Sequence, residues 1–203
     1  MDSQVDGKKA ACVVGSNAWI YGFKADNQKK ISHLIELQEL GDLKIFRADL
    51  TEEDSFDAPV LGCDLGFQVA TPLNVASQDP ENDMIKPATQ GALNVLKACL
   101  KAKTVKRVIL TSSSTAVSIN TLSGSKLVID EKDWSDVDFL ISKKPPFWGY
   151  FVSKIVAEKA AWKFARENNI DLVIMIPTLT AGPSLTLDVP SCNRPCHKLA
   201  YRQ

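Results

Sequence analysis

An α/β fold built on a doubly wound parallel sheet is what this sequence predicts, and three observations predict it. Short, largely apolar runs alternate with longer stretches of helical periodicity along the chain. Several of those runs end in glycine, serine or threonine, the small residues that open loops at the carboxyl edge of such a sheet. The composition, 203 residues with 45% apolar and 24% charged side chains, is that of an ordinary globular domain. At about 150 residues per domain the length exceeds one and falls short of two. One domain over residues 1–190, followed by a divergent and disordered tail over 191–203, is the expected division.

Residues 10–14 read as the first buried strand. In 27–40, Ile31, Leu34, Ile35, Leu37 and Leu40 gather toward one side of a helix, and 43–47 reads as the next strand. Another strand is expected at 64–69. Asp79, Pro80 and Glu81 then supply a cap, a proline for the first turn and an acid near the positive helix end. The helix they open runs to about residue 102, with Ile85, Ala88, Ala92, Val95, Leu96 and Cys99 at helical spacing. Pro87 should bend or weaken its first turns, because it has no N–H to donate. A strand over 107–111 ends in serines and leads into a polar connection over 114–144, a length that usually carries function. An amphipathic helix over 149–168 and a buried strand over 171–176 complete the alternation. Strand and helix in that rhythm mean a parallel sheet covered by helices on both faces.

Equal numbers of basic and acidic residues, 24 of each, leave no net field to attract nucleic acid or an anionic membrane. The polar start, residues 1–9, precedes only a short apolar run, so a cytosolic chain with no membrane span is expected. The five cysteines are odd in number and scattered, and are expected to be free thiols. Cys192, Cys196 and His197 amount to three ligands at most with no second cluster, so no metal site is predicted.

Ligands of parallel sheets bind at the carboxyl ends of the strands. That directs attention to residues 15–18, 49–50, 70–72, 112–114 and 177–178. Tyr150 and Lys154 stand four apart on a helix and therefore share a face. An ammonium beside a phenol favours the phenolate and brings its pKa toward neutrality, which makes the phenol a usable proton donor and acceptor. Three tyrosines among 19 lysines make the pair alone a common coincidence. Its weight comes from Ser113, which follows a strand at the same edge and can hydrogen-bond a substrate oxygen there. A first strand that ends at Gly15 adds to it.

With these residues in place the chain resembles the extended short-chain dehydrogenase/reductases of the NAD-dependent epimerase/dehydratase family. Within them it resembles the plant flavonoid reductases, closest to the anthocyanidin reductase branch. The resemblance is carried by residues 26–30 (DNQKK), 37–50 (LQELGDLKIFRADL), 69–72 (VATP), 79–87 (DPENDMIKP), 106–113 (KRVILTSS), 150–154 and 157–177. It implies a Rossmann-like domain and a reductase that takes hydride from NADPH and acts on a small flavonoid, turning an anthocyanidin into a flavan-3-ol. Ser113, Tyr150 and Lys154 would be its catalytic residues. Lys154 would also meet the nicotinamide ribose, Asp49 and Leu50 would lie beside the adenine, and Val69, Ala70, Thr71, Pro177 and Thr178 would line the cofactor cleft. Dihydroflavonol 4-reductases, the sister group and a further alternative, carry an asparagine five residues after the catalytic serine; here Ser118 stands there. Gln68 occupies a position where the family often has histidine.

The pattern breaks near the start. Gly15-Ser16-Asn17-Ala18-Trp19-Ile20-Tyr21 has one glycine where the family has several for close approach of the pyrophosphate. Only about ten residues separate it from Asp26, whereas a parallel crossover takes a dozen or more. The first crossover helix and second strand are therefore expected to be missing. The usual partner of the NADP 2′-phosphate would go with them, leaving Lys24 as a substitute. The substrate lobe that family members build beyond the position of Pro190 is also expected to be absent. Weak NADPH binding follows, and with it the alternative of a catalytically impaired remnant that serves as a binding or interaction module.

Overall fold

A computed structural model of the chain describes residues 10–14, 34–74, 77–119, 128–130 and 132–178. Four strands, β1 (Ala11–Val14), β2 (Leu65–Gln68), β3 (Arg107–Thr111) and β4 (Leu172–Met175), form one sheet in the order β1-β2-β3-β4. All neighbours are parallel, with Cys12, Gly66, Val108 and Leu172 level across the sheet. The parallel-sheet α/β architecture read from the sequence is the one found.

The helices are α1 (Asp57–Val60), α2 (Lys86–Ala102), α3 (Val137–Lys143) and α4 (Trp148–Glu167). Parallel strands joined by right-handed crossovers and added in a single direction put their crossover helices on one face. Accordingly Val60 of α1, Val95, Leu96 and Cys99 of α2 and Ala157, Ala161 and Ala165 of α4 pack with Cys12, Val108, Leu110 and Leu172. The sequence predicts helices on both faces. Among the described residues, α1, α2 and α4 share this one, and Val13, which points the other way, is 61% exposed. Helix α2 lies so close to the loop before α1 that a Cβ on Gly91 would stand 2.8 Å from Leu50 Cδ2. Leu50 is therefore core, and its carbonyl accepts a hydrogen bond from the buried Asn94 side chain at 2.9 Å.

Burial pushes the thiol of Cys99 up to about 12 and that of Cys12 up to about 11, so both stay protonated and pack as small apolar groups. Cys12, Cys63 and Cys99 are free, as expected. Asp79 caps as predicted. Its carboxylate accepts from the Asn82 backbone N–H at 3.3 Å and the Asn82 amide at 2.5 Å, and these bonds hold it below its ordinary pKa. Pro87 also leaves its mark, because residues Glu81–Ile85 adopt a π-helical turn before α2 begins. A wider turn suits a position whose i−4 carbonyl can receive no N–H and must avoid the proline ring.

Two further predictions are corrected. Residues 43–47 form no strand, and Leu43, Ile45 and Phe46 are exposed. A strand exists only through its ladder, and no described strand pairs with this run; residues 15–33, where the crossover helix and second strand are expected to be missing, lie outside the described residues. The connection 114–144 is in turn partly built: Ser114–Ala116 is a 3-10 turn, and α3 starts where Asp136 accepts a hydrogen bond from the Phe139 N–H at 2.8 Å. Of the predicted helix 27–40, residues 34–38 are helical and 27–33 lie outside the described residues.

Candidate active site

Strand β3 delivers Thr111, Ser112, Ser113 and Ser114 to the carboxyl edge of the sheet. There β4 continues the ladder, with Ser112 N–H donating to Met175 O at 2.8 Å and Ser114 N–H to Pro177 O at 3.0 Å. The predicted residues Pro177 and Thr178 thus lie on the strand end that carries the serines. One strand over, the N–H groups of Val69 and Ala70 both donate to Val14 O at 2.9 Å, so this pair and Thr71 leave β2 at the same edge. Asp49 is folded into a turn, its carboxylate accepting from Thr51 N–H at 2.8 Å and Thr51 Oγ1 at 2.7 Å. Gly15, Lys24 and the 191–203 tail, including Cys192, Cys196 and His197, lie outside the described residues. Among the described residues no group of metal-ligating side chains is found.

Helix α4 brings up the other half of the site. It begins after Phe147, which has a left-handed φ of 66°, and its second residue, Gly149, faces Pro80 so closely that a Cβ would stand 2.4 Å from the proline Cβ. The start of α4 is thereby seated against the turn that opens α2. A second apolar cluster of Ile85, Ala116, Leu140, Val152 and Ile155 clamps the 3-10 turn after Ser113 between α3 and α4. Ser135 ties the return of the loop, donating to Thr115 O at 2.7 Å and accepting from Ile119 N–H at 2.8 Å.

Lys154 is the centre of the arrangement. Its side chain is buried, the residue being 6% exposed, and its Nζ donates to Thr111 O at 3.0 Å and stands 5.9 Å from the centre of the Tyr150 ring. The structure thus brings Tyr150 and Lys154 together, on one helix face, at the strand end from which Ser113 emerges. Ser113 Oγ accepts from Thr115 Oγ1 at 2.9 Å and from Thr115 N–H at 3.3 Å. With both acceptor positions occupied, the proton of its hydroxyl is the part left to donate.

Burial drives the Lys154 ammonium down to about 8, against the opposing charge of Glu158. Between about pH 8 and 10.5 the unfolded chain keeps a proton that the folded chain releases, so stability rises with pH through that window. The expected result is that wild type gains about 3 kcal/mol on Lys154→Met between pH 7 and 11, measured by urea denaturation. A difference that stays flat with pH would show that the ammonium is not desolvated.

Sequence reasoning missed Glu158. It is 3% exposed, one turn beyond Lys154, its carboxylate accepts a hydrogen bond from the Ser112 hydroxyl, and burial pushes its pKa above the ordinary carboxylate value. The signal was available, since positions 150, 154, 158 and 162 form one i, i+4 stripe. A buried carboxyl is readable only once burial is known.

The sequence model of the NAD dependent epimerase/dehydratase family matches residues 15–201. An anthocyanidin reductase of Vitis vinifera, described as (2S)-flavan-3-ol-forming, is 63% identical over 202 residues, which take in 91% of this chain and 60% of that protein. Because 91% of this chain is fewer than 202 residues, the aligned stretch of the relative contains residues that this chain lacks. Among solved structures, vestitone reductase from alfalfa (Medicago sativa L.) superposes with a TM-score of 0.69 at 38% identity, covering 92% of this chain and 54% of that one. A yeast methylglyoxal/isovaleraldehyde reductase, Gre2, complexed with NADPH, superposes with a TM-score of 0.67 at 27% identity, covering 78% and 50%. The chain spans about 60% of the length of the first of these relatives and about half that of the solved structures.

Proposed function

Because the chain belongs to the NAD dependent epimerase/dehydratase family, we propose that it is an NADPH-dependent reductase of flavonoid type, turning an anthocyanidin into a flavan-3-ol. The observation that carries this reading is the buried Lys154, hydrogen-bonded to the end of β3 with the Tyr150 ring beside it. The identity to the Vitis vinifera enzyme supplies the substrate class. Three buried free thiols support a reducing, cytosolic compartment. No helix among the described residues is long and apolar enough to cross a membrane.

The residues at the sheet edge fit a dinucleotide. Lys154 and Thr71 offer donors there, and the buried Gln68 Oε1, at the carboxyl end of β2, has no hydrogen-bond partner among the described residues. Asp49, Leu50, Val69, Ala70, Thr71, Pro177 and Thr178 would hold the cofactor, with Gly15 and Lys24 completing the site. When bound, NADPH would supply hydride; a flavylium cation becomes a flavan-3-ol by gaining two hydrides and one proton, so two NADPH would be used in turn. Tyr150 hands the substrate a proton from its phenol. The Lys154 ammonium lowers the energy of the phenolate left behind, and the Ser113 hydroxyl donates to the substrate oxygen and fixes its position.

A second reading, a remnant with an impaired dinucleotide site that acts as a binding module, is favoured by the residues missing from the aligned stretch and by the strandless run 43–47. Each charge-assisted hydrogen bond lost from a pyrophosphate removes roughly 1.5–3 kcal/mol, and each 1.4 kcal/mol is about tenfold in affinity. Titration of NADPH against tryptophan fluorescence separates the two readings. Weak but saturable quenching, followed by turnover of an anthocyanidin, is the expected result. No saturation up to about 1 mM, the upper end of ordinary substrate affinities, would overturn the reductase reading in favour of the second.

A further inference from the structure

Helix α4 is pinned to the carboxyl end of β3 by two adjacent hydrogen bonds that run in opposite directions. Lys154 on the helix donates to the Thr111 carbonyl, and the Ser112 hydroxyl on the strand donates to Glu158 on the helix. Ser112 and Glu158 are both 3% exposed. A carboxylate is an expensive group to bury, and one that served only as a hydroxyl acceptor could be replaced by a neutral amide at lower cost. Glu158 sits one turn from the ammonium that the proposed chemistry uses.

We propose that Glu158 is a positioning residue for the Ser113, Tyr150 and Lys154 site: held by Ser112, its negative charge keeps the Lys154 ammonium charged and seated at the end of β3. The role assigned to Lys154 rests on the reductase reading; the electrostatic coupling between the two side chains does not. Glu81 of the π turn and Asp138 and Lys143 of α3 are charged groups on elements packed against α4, and several other charges there have partners of their own. On α2, Lys97 pairs with Glu53, Lys101 with Asp54 and Asp57, and Lys86 donates to Asn82. In the π turn, Asp83 accepts from Ser77 and Asn74. On α3, Asp136 is bound to the Phe139 N–H. At the sheet, Asp171 pairs with Arg107. Glu158 is the charged group that opposes the desolvation of Lys154.

The test follows the Lys154 ammonium in the full chain by side-chain NMR of isotopically labelled lysine, its signal assigned by its loss in Lys154→Met. Glu158→Gln keeps an acceptor for Ser112 and removes the charge. The expected result is a downward shift of the Lys154 titration by about one pH unit, the size of a single charge acting across a partly buried gap. Glu158→Asp restores the charge and should bring the titration back toward wild type. An unchanged titration in Glu158→Gln overturns the proposal. So does loss of a cooperative melt in both variants, which would make Glu158 a purely structural group. Since the readout needs no NADPH and no substrate, the coupling can hold while the reductase reading fails, and the NADPH titration can succeed while the coupling fails.

Discussion

On the proposed reductase reading, replacing Tyr150 with phenylalanine is expected to lower turnover of an anthocyanidin about 10²- to 10⁴-fold, the contribution of a positioned proton donor, while leaving the fold in place. The substitution isolates the hydroxyl because the ring does the packing. The ring stands edge-on to Phe151 at 6.2 Å between centres and faces Lys154 Nζ at 5.9 Å, and phenylalanine preserves both contacts. In barrier terms the loss is about 3–5 kcal/mol. It should fall on kcat with little change in NADPH affinity, since the phenol acts on the substrate as charge develops. Steady-state kinetics beside a thermal melt measure both. Turnover unchanged within about twofold would remove the tyrosine from the mechanism.

Replacing Gly149 with alanine is expected to destabilise the protein and to displace the α4 face that carries Tyr150 and Lys154. The added methyl would lie 2.4 Å from Pro80 Cβ and 2.9 Å from Met84 Cε. The methionine end can swing aside, but the proline ring is part of a stiff backbone turn capped by Asp79, so the start of α4 must move instead. Overpacking of this kind costs about 1–3 kcal/mol, and the better helix propensity of alanine returns less than about 1 kcal/mol. The expected net loss of about 1–2 kcal/mol lowers Tm by roughly 2–8 °C for a chain of this size. Gly41→Ala is the control, because nothing lies within 4 Å of the Cβ it would carry. A Gly149→Ala melt equal to that of the control, to within about 1 °C, would mean that the turn yields more easily than its geometry implies. Tyr150 follows Gly149 directly, so turnover should fall with stability in this variant, whereas Tyr150→Phe separates the two.

Much of the fold was legible because parallel strands carry their own signature. The runs at 10–14, 64–69, 107–111 and 171–176 are short and apolar, and each became a strand within a residue or two of its expected bounds. The helices that became α2 and α4 announced themselves by spacing, and the Asp79 cap by its side chain. The run at 43–47 failed for a different reason: an extended, apolar local sequence is necessary for a strand, but the ladder comes from elsewhere in the chain. Helix α3 escaped notice because its seven residues hold too few turns to show a period. Its apolar members, Leu140 above all, matter through the cluster they complete with Ala116, Val152 and Ile155.

The candidate site divides in the same way. Sequence alone determined that Tyr150 and Lys154 share a helix face and that Ser113 ends a strand, because both statements follow from local backbone geometry. Only the tertiary structure decided that Lys154 is buried against the Thr111 carbonyl and that Glu158 lies under the strand end with Ser112. Desolvation is the physical reason. A side chain acquires a shifted proton affinity from everything packed around it, and packing joins residues that lie 40 or more positions apart, a distance no local pattern can span.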